Sequence, residues 1–226
     1  MHEWHDAKVV SLTLTATGLD HLVVKVPAVL ASAYKMPGQY TRLMVQGKTA
    51  GLYALAGAPG RDTFEFLVKK DGSVVNAVSS LHAEADLKIS EPLGHGFPLE
   101  GFDGRPLWLL GTGSGLAPLR AVVHTLLEKP ARSAKVTLIY GARTPEHVPF
   151  GDEFADWKKR GIDVRITLSQ AATAWQGLRG YVQAHLSEVG QGDGIVFLCG
   201  QKHMVDEASR MLSQVGVGKD RIFLNV

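Results

Sequence analysis

The chain has 226 residues, of which 45% are hydrophobic and 20% charged, and its 24 basic and 22 acidic side chains give a formal net charge of +2. This length predicts one large or two small domains, the composition excludes a mainly disordered chain, and the charge balance argues against nucleic acid as a partner. The single cysteine excludes an intrachain disulfide and a cysteine-ligated iron–sulfur cluster, and the nine histidines show no metal-binding spacing, so no metal is expected.

The first hundred residues alternate between apolar and polar side chains with a period of two, which is typical of strands. Turn signals such as Pro37-Gly38 and Asp71-Gly72 separate the segments, and one short helix is predicted from Val74 to Leu81. Short strands at this spacing indicate an antiparallel barrel or sandwich. The predicted strands are residues 9–15, 21–26, 39–45, 51–56, 63–68 and 86–90.

After a linker at residues 101–106, strands alternate with helices. This alternation predicts a doubly wound five-stranded parallel sheet, in which an order 3-2-1-4-5 makes the first and fourth strands neighbours. We therefore expect an N-terminal antiparallel β-barrel domain at residues 1–102 and a C-terminal α/β domain at residues 103–226. The predicted strands are residues 107–111, 135–141, 162–169, 194–199 and 221–225, and the predicted helices are residues 116–128, 152–160, 181–189 and 204–215.

The strongest motif is Gly-Thr-Gly-Ser-Gly-Leu-Ala-Pro at residues 111–118, where the first parallel strand ends and its helix begins. Glycines let backbone amides approach a phosphate, and a helix N-terminus favours negative charge. Leu116 takes the place of the third glycine of the Gly-x-Gly-x-x-Gly fingerprint. The motif indicates a phosphate or dinucleotide loop, with a plain strand-to-helix turn as the alternative.

Two further strand ends add to this interpretation. Cys199-Gly200 ends the fourth parallel strand, so Cys199 is a candidate contact for a reacting ring, although a lone cysteine can also be a small buried apolar residue. Tyr140-Gly141-Ala142-Arg143 ends the second strand, where an arginine can hold the 2′-phosphate of NADPH. A solvated loop arginine is the alternative.

On these loops the chain resembles the ferredoxin–NADP reductase superfamily. A little-characterised branch of it in plants and bacteria is similar in the sequence of residues 140–143, 168–170, 180–184 and 199–204. The resemblance implies that FAD binds the barrel, that NADPH or NADH lies across residues 111–118, and that hydride passes from nicotinamide C4 to flavin N5 beside Cys199 as the catalytic residue. Electrons would then leave for a small electron-carrier protein or a small molecule. The matching segments are residues 37–40, 64–69, 111–118, 140–143, 152–154 and 199–204.

The flavin strand departs from the family pattern. That pattern reads Arg-x-Tyr-Ser, whereas residues 51–54 read Gly-Leu-Tyr-Ala, so the arginine that neutralises the FAD pyrophosphate is absent. Lys69 and Lys70 are candidates to compensate, and the alternative, which the sequence favours, is a solvated basic pair. The expected flavin contacts are Tyr53, Ala54, Leu55, Val68, Lys69, Gly72, Ser73, Val74, Val75 and Asn76. The expected nucleotide contacts are Gly111, Thr112, Gly113, Ser114, Pro118, Gly141, Ala142, Arg143, Gly200, Gln201 and Met204.

The expected function is an FAD-dependent NAD(P)H oxidoreductase. The alternative is a nucleotide-binding or electron-transfer subunit with weak or no flavin, acting in a larger complex. Polar, acidic first residues and the absence of a long apolar run predict a cytoplasmic protein without a membrane span.

Overall fold

The computed structural model describes residues 3–45, 48, 50–70, 75–102, 104–128, 135–189 and 192–225, without the side chains of residues 75 and 76. The first half forms one antiparallel sheet in the order β4-β3-β6-β1-β2-β5, and a bridge between Leu55 and Phe66 brings the two edges of the sheet together as a barrel. Its strands are β1 (Trp4–Ala16), β2 (Leu19–Lys25), β3 (Tyr40–Met44), β4 (Gly51–Ala54), β5 (Thr63–Lys69) and β6 (Asp86–Ser90).

The alternation in the sequence explains the barrel core. In β2, Leu22 and Val24 are fully buried, while the intervening Val23 is only partly buried. Two short helices accompany the sheet, α1 (Ala28–Ala33) and α2 (Val75–Ser79). The sequence did not predict α1, because its six residues are too few to show a helical period.

The second half forms a parallel sheet in the order β10-β9-β8-β7-β11-β12. Its strands are β7 (Leu107–Thr112), β8 (Val136–Ala142), β9 (Ile162–Leu168), β10 (Leu178–Arg179), β11 (Ile195–Cys199) and β12 (Ile222–Leu224), and its helices are α3 (Leu116–Glu128), α4 (Phe154–Lys159) and α5 (Lys202–Gln214). The expected fold class is confirmed, with the five predicted strands in the order 3-2-1-4-5, and the two-residue β10 adds a sixth strand.

One predicted helix is different in the structure. Residues 181–189 form a single 3₁₀ turn, Val182–His185, rather than an α-helix. Val182, Leu186 and Val189 are buried at helical spacing, which explains the prediction, but the amide of Val189 bonds to the carbonyl of Leu186 in a tighter turn.

The barrel and the parallel sheet share a hydrophobic core. Ala56, Leu67 and Phe97 from the barrel pack with residues of the parallel sheet, and the ring of Phe97 stacks on that of Phe197 with centroids 4.6 Å apart. The boundary expected at residue 102 lies between β6 and β7 and stays a prediction. Among the described residues, no helix has the length and apolar character that crossing a bilayer requires.

Candidate active site

The two predicted loops meet at the carboxyl ends of β7 and β11. Gly111 of β7 is paired with Cys199 of β11. A Cβ atom added to Gly111 would lie 2.6 Å from Cδ1 of Leu119, and one added to Gly115 would lie 2.4 Å from the carbonyl oxygen of Cys199. The two glycines therefore allow the loop to pack directly against the neighbouring strand end.

Hydrogen bonds hold the first loop in a defined conformation. After Thr112 the chain makes a 3₁₀ turn, Gly113–Gly115, and enters α3. Gly113 has φ +55°, which is the left-handed region that favours glycine. The hydroxyl of Tyr140 donates to the Gly113 carbonyl at 3.0 Å, and the burial of that phenol raises its pKa. The turn is thus anchored to β8 as well as to β11.

The second loop interlocks with the first. The amide of Gln201 donates to Oγ1 of Thr112 at 3.4 Å. A Cβ on Gly200 would lie 2.4 Å from the same oxygen and 2.5 Å from Cε of Met204. Met204 and Pro118, two of the expected nucleotide contacts, are both buried, so they belong to the packing of the loops.

A cavity of about 570 Å³ lies between these loops and the barrel. Of the expected residues, those that line it are Lys69, Thr112, Gly113, Gly141, Ala142, Arg143 and Gln201. The sequence did not predict several other residues that line the cavity: the β1–β2 turn with the first residue of β2 (residues 17–19), His147, Ser169, Gln170 and Tyr181. No local signal marks the β1–β2 turn as part of a site, because only the packing of the two sheets brings it to the loops.

Cys199 ends β11 and is packed against the hydrophobic core, and it is not among the residues that line the cavity. Its thiol is largely enclosed, and Nδ2 of Asn225 donates to Sγ at 3.9 Å. Burial raises the pKa of the Cys199 thiol to about 11, while the hydrogen bond from Asn225 lowers it less. The thiol is therefore protonated at neutral pH, and it can contact a ring as a neutral group but not act as a thiolate.

The flavin strand offers an aromatic ring and no cation. Tyr53 of β4 is half-buried, and its ring packs edge-on to Phe66 with centroids 6.4 Å apart. A Cβ on Gly51 would lie 2.7 Å from Cε2 and 2.9 Å from the hydroxyl oxygen of Tyr53. The phenol thus covers the position from which the arginine of the family pattern would extend.

Apart from Lys69, the other residues expected to contact the flavin either pack in the core or lie outside the described residues. The side chains of Leu55 and Val68 are fully buried in the barrel, and Ala54 packs toward the parallel sheet. Gly72, Ser73 and Val74 lie outside the described residues, as do the side chains of Val75 and Asn76. Tyr53 therefore offers an aromatic ring for a flavin, and Lys69 and Lys70, which line the cavity beside the nucleotide loops, are the candidate basic side chains for its phosphates.

Comparisons with known proteins agree with this geometry. The family model described as the oxidoreductase NAD-binding domain matches residues 109–210. A ferredoxin–NADP reductase B of Sorangium cellulosum is 31% identical over 184 residues, covering 74% of this chain and 75% of that protein. The subunit gamma of sulfhydrogenase 1 of Pyrococcus furiosus is 26% identical over 196 residues, covering 84% of this chain and 67% of that protein.

A solved structure supports the fold. The crystal structure of a ferredoxin NADP⁺ reductase from Neisseria gonorrhoeae with bound FAD and NADP has a TM-score of 0.84 and 22% sequence identity to this chain. The match covers 99% of this chain and 98% of that one, so it includes both sheets.

Proposed function

This chain belongs to the ferredoxin–NADP reductase superfamily of FAD- and NAD(P)-binding oxidoreductases, and from that membership we propose how its own residues perform the reaction. It is a flavin-dependent NAD(P)H oxidoreductase. FAD, when bound, would supply the redox chemistry of hydride and electron transfer, and this chain's own residues would bind and orient it and the nicotinamide. The observation that carries the proposal is the contact between the Gly115 turn and the Cys199 strand end.

We assign the nucleotide pyrophosphate to the turn at Gly113–Gly115. This turn leads directly into α3, so its amides and the helix N-terminus both favour an anion. Arg143 is exposed at the rim of the same cavity, and we assign to it the 2′-phosphate of NADPH. Cys199 then contacts the nicotinamide ring as a neutral thiol, which excludes water and orients the ring without exchanging a proton.

We assign the flavin ring to the Tyr53 side of β4, with its phosphates toward Lys69 and Lys70. Nζ of Lys70 lies 3.0 Å from Oδ1 of Asp20, so part of its charge is already neutralised by a carboxylate. Without the arginine of the family pattern, FAD is held by fewer charge-assisted contacts. Flavin is therefore expected to dissociate more readily from this protein than from a relative with the full pattern.

We propose a small electron-carrier protein as the acceptor. A second candidate function is that of the electron-transfer subunit of a larger complex, which the likeness to the gamma subunit of sulfhydrogenase 1 favours. The two differ in what the isolated chain does. A self-contained reductase reduces a soluble acceptor by itself, whereas a subunit is reduced by NAD(P)H but needs its partner chain to pass the electrons on.

The test is the visible absorption of the purified protein, reconstituted with FAD, before and after anaerobic addition of NADPH or NADH. Bleaching of the flavin bands supports the reductase and ranks the two nucleotides by rate. A protein that takes up no FAD, or whose flavin neither nucleotide reduces, would refute the proposed roles. A second assay then distinguishes the two candidate functions. Reduction of a soluble one-electron acceptor by the isolated chain supports the self-contained reductase, and its absence supports the subunit.

A further inference from the structure

A buried guanidinium lies at the junction of the two domains. Arg120 is on α3, and its side chain is only 6% exposed. It makes a forked ion pair with Glu153, with Nε at 2.9 Å from Oε1 of Glu153 and Nη2 at 2.7 Å from the same oxygen. Both residues belong to the α/β half, so this pair fixes the guanidinium plane within that half.

The same guanidinium also bonds to the barrel. Its Nη1 donates to the carbonyl oxygen of Ala56 and to Oε2 of Glu65, each at 2.9 Å. Its Cζ lies 4.3 Å from the centroid of the Phe150 ring. One side chain of α3 thus contacts two points on the barrel, one of them a backbone group.

Two histidines complete the network. Nε2 of His21 lies 2.8 Å from Oε2 of Glu65, and Nε2 of His124 lies 2.7 Å from Oε2 of Glu153. Burial favours the neutral acid at Glu65, but the hydrogen bond from His21 and the charge of Arg120 outweigh it and lower the pKa of Glu65 to about 2. At Glu153, burial also favours the neutral acid, but the hydrogen bonds from His124 and Arg120 outweigh it and lower the pKa. Both carboxylates are therefore ionised at neutral pH.

The network connects the two parts of the site through short stretches of chain. Arg120 follows the turn residue Gly115 by five positions, on the helix that the turn begins. Ala56 follows Tyr53 by three positions, and its own amide donates to the carbonyl of Glu65 at 2.8 Å. The guanidinium therefore joins the helix of the nucleotide loop to the continuation of the flavin strand.

We propose that Arg120 is a positioning residue for the oxidoreductase reaction, which through Glu65 and Ala56 sets the separation between the nucleotide loop and the flavin strand. The inference rests on the proposed function. It follows from the sensitivity of group transfer to geometry, because a misplacement of about 1 Å can cost on the order of a hundredfold in rate. A buried, multiply bonded charge can enforce such a separation, whereas an exposed ion pair is screened by water.

The test compares three variants by four measurements. Glu65→Ala removes the barrel's carboxylate but leaves Arg120 paired with Glu153, and Glu65→Gln restores a neutral acceptor. Glu128→Gln is the matched control, because Glu128 is on the same helix and pairs across the same junction with Arg61, but at an exposed position. The measurements are the limiting rate of flavin reduction, the dissociation constant of NADP⁺, the long-wavelength absorbance of nicotinamide stacked on flavin, and hydrogen exchange of Ala56 and α3 in the flavin-free protein.

For Glu65→Ala we expect the limiting rate to fall about tenfold or more while the dissociation constant changes by less than about twofold. The long-wavelength absorbance weakens, and hydrogen exchange at Ala56 and in the first turns of α3 speeds up. Glu65→Gln recovers part of each change, and Glu128→Gln matches the wild type.

A wild-type limiting rate in Glu65→Ala would overturn the inference, as would equal losses in rate and nucleotide affinity with normal absorbance. If neither nucleotide reduces the wild-type flavin, the proposed function fails instead. Hydrogen exchange in the flavin-free protein still decides the connection in that case, because exchange unchanged by Glu65→Ala would refute the role of Arg120.

Discussion

Gly115 and Cys199 are in contact across the two central strands of the parallel sheet. A Cβ atom added to Gly115 would lie only 2.4 Å from the carbonyl oxygen of Cys199, so there is no room for one. The neighbour is backbone, so it cannot move aside as a flexible side chain would. This contact sets the distance between the turn that we assign to the pyrophosphate and the residue that we assign to the nicotinamide ring.

Gly115→Ala is expected to weaken nucleotide binding and to lower the free energy of unfolding by about 1–3 kcal/mol, because the added methyl forces the two loops apart. Nucleotide titration and urea unfolding measure the two effects. Gly151→Ala is the control, since its Cβ would meet only the Val148 carbonyl at 3.9 Å, an ordinary contact. Equal behaviour of the two variants would contradict the prediction.

Cys199→Ala is expected to slow flavin reduction by about tenfold and to change nucleotide affinity little, because we assign the side chain to the reacting ring. Stopped-flow reduction at saturating NADPH measures the rate. The rate of Cys199→Ser should lie between those of the wild type and Cys199→Ala. An unchanged rate in Cys199→Ala would remove the residue from the reaction.

The protonation state of Cys199 gives a second, independent prediction. Because its pKa is raised to about 11, the thiol stays protonated below that pH. Alkylation by iodoacetamide should therefore rise with a midpoint near 11, above the value of ~8.5 for a free cysteine. A midpoint at the ordinary value would show that the thiol is not enclosed as the structure has it.

Gly51→Arg is expected to tighten FAD binding by about tenfold, because a guanidinium–phosphate contact is a strong charge-assisted bond. The Tyr53 ring must turn aside to admit the new side chain. Gly51→Ala separates the two effects, since it displaces the ring without adding a charge and should bring no gain. Titration of the flavin-free protein with FAD measures both, and equal affinities in the two variants would argue against the missing arginine as the cause of weak binding.

Arg143→Ala is expected to raise the dissociation constant of NADPH by about tenfold and that of NADH by less than about twofold, because only NADPH carries the 2′-phosphate. The difference should shrink at high salt, since Arg143 is exposed. Arg210→Ala on α5 removes the same charge outside the cavity and should affect neither nucleotide. Equal effects of Arg143→Ala on both nucleotides would refute its assignment.

The tertiary structure decided what the sequence pattern could not. Arg120 stands in a largely apolar helix, and its partners Glu153 and Glu65 are 33 and 55 residues away in the chain. Nothing within a few residues of any of them indicates that they meet. Likewise, the β1–β2 turn at residues 17–18 reads as an ordinary hairpin, and it becomes part of the cavity only because it meets the segment after β8, where the Thr17 amide donates to the Glu146 carbonyl at 2.7 Å.

By itself, the sequence determined the two kinds of sheet and, with the strand order 3-2-1-4-5 as a premise, the meeting of residues 111–115 with Cys199. These features follow from periodicity and from glycines at strand ends, which depend on neighbouring residues, and from the rules that connect parallel strands. The position of Tyr53 over Gly51, the enclosure of the Cys199 thiol and the network around Arg120 were decided by tertiary packing. They depend on which side chains from distant segments share one space, and a one-dimensional pattern does not contain that information.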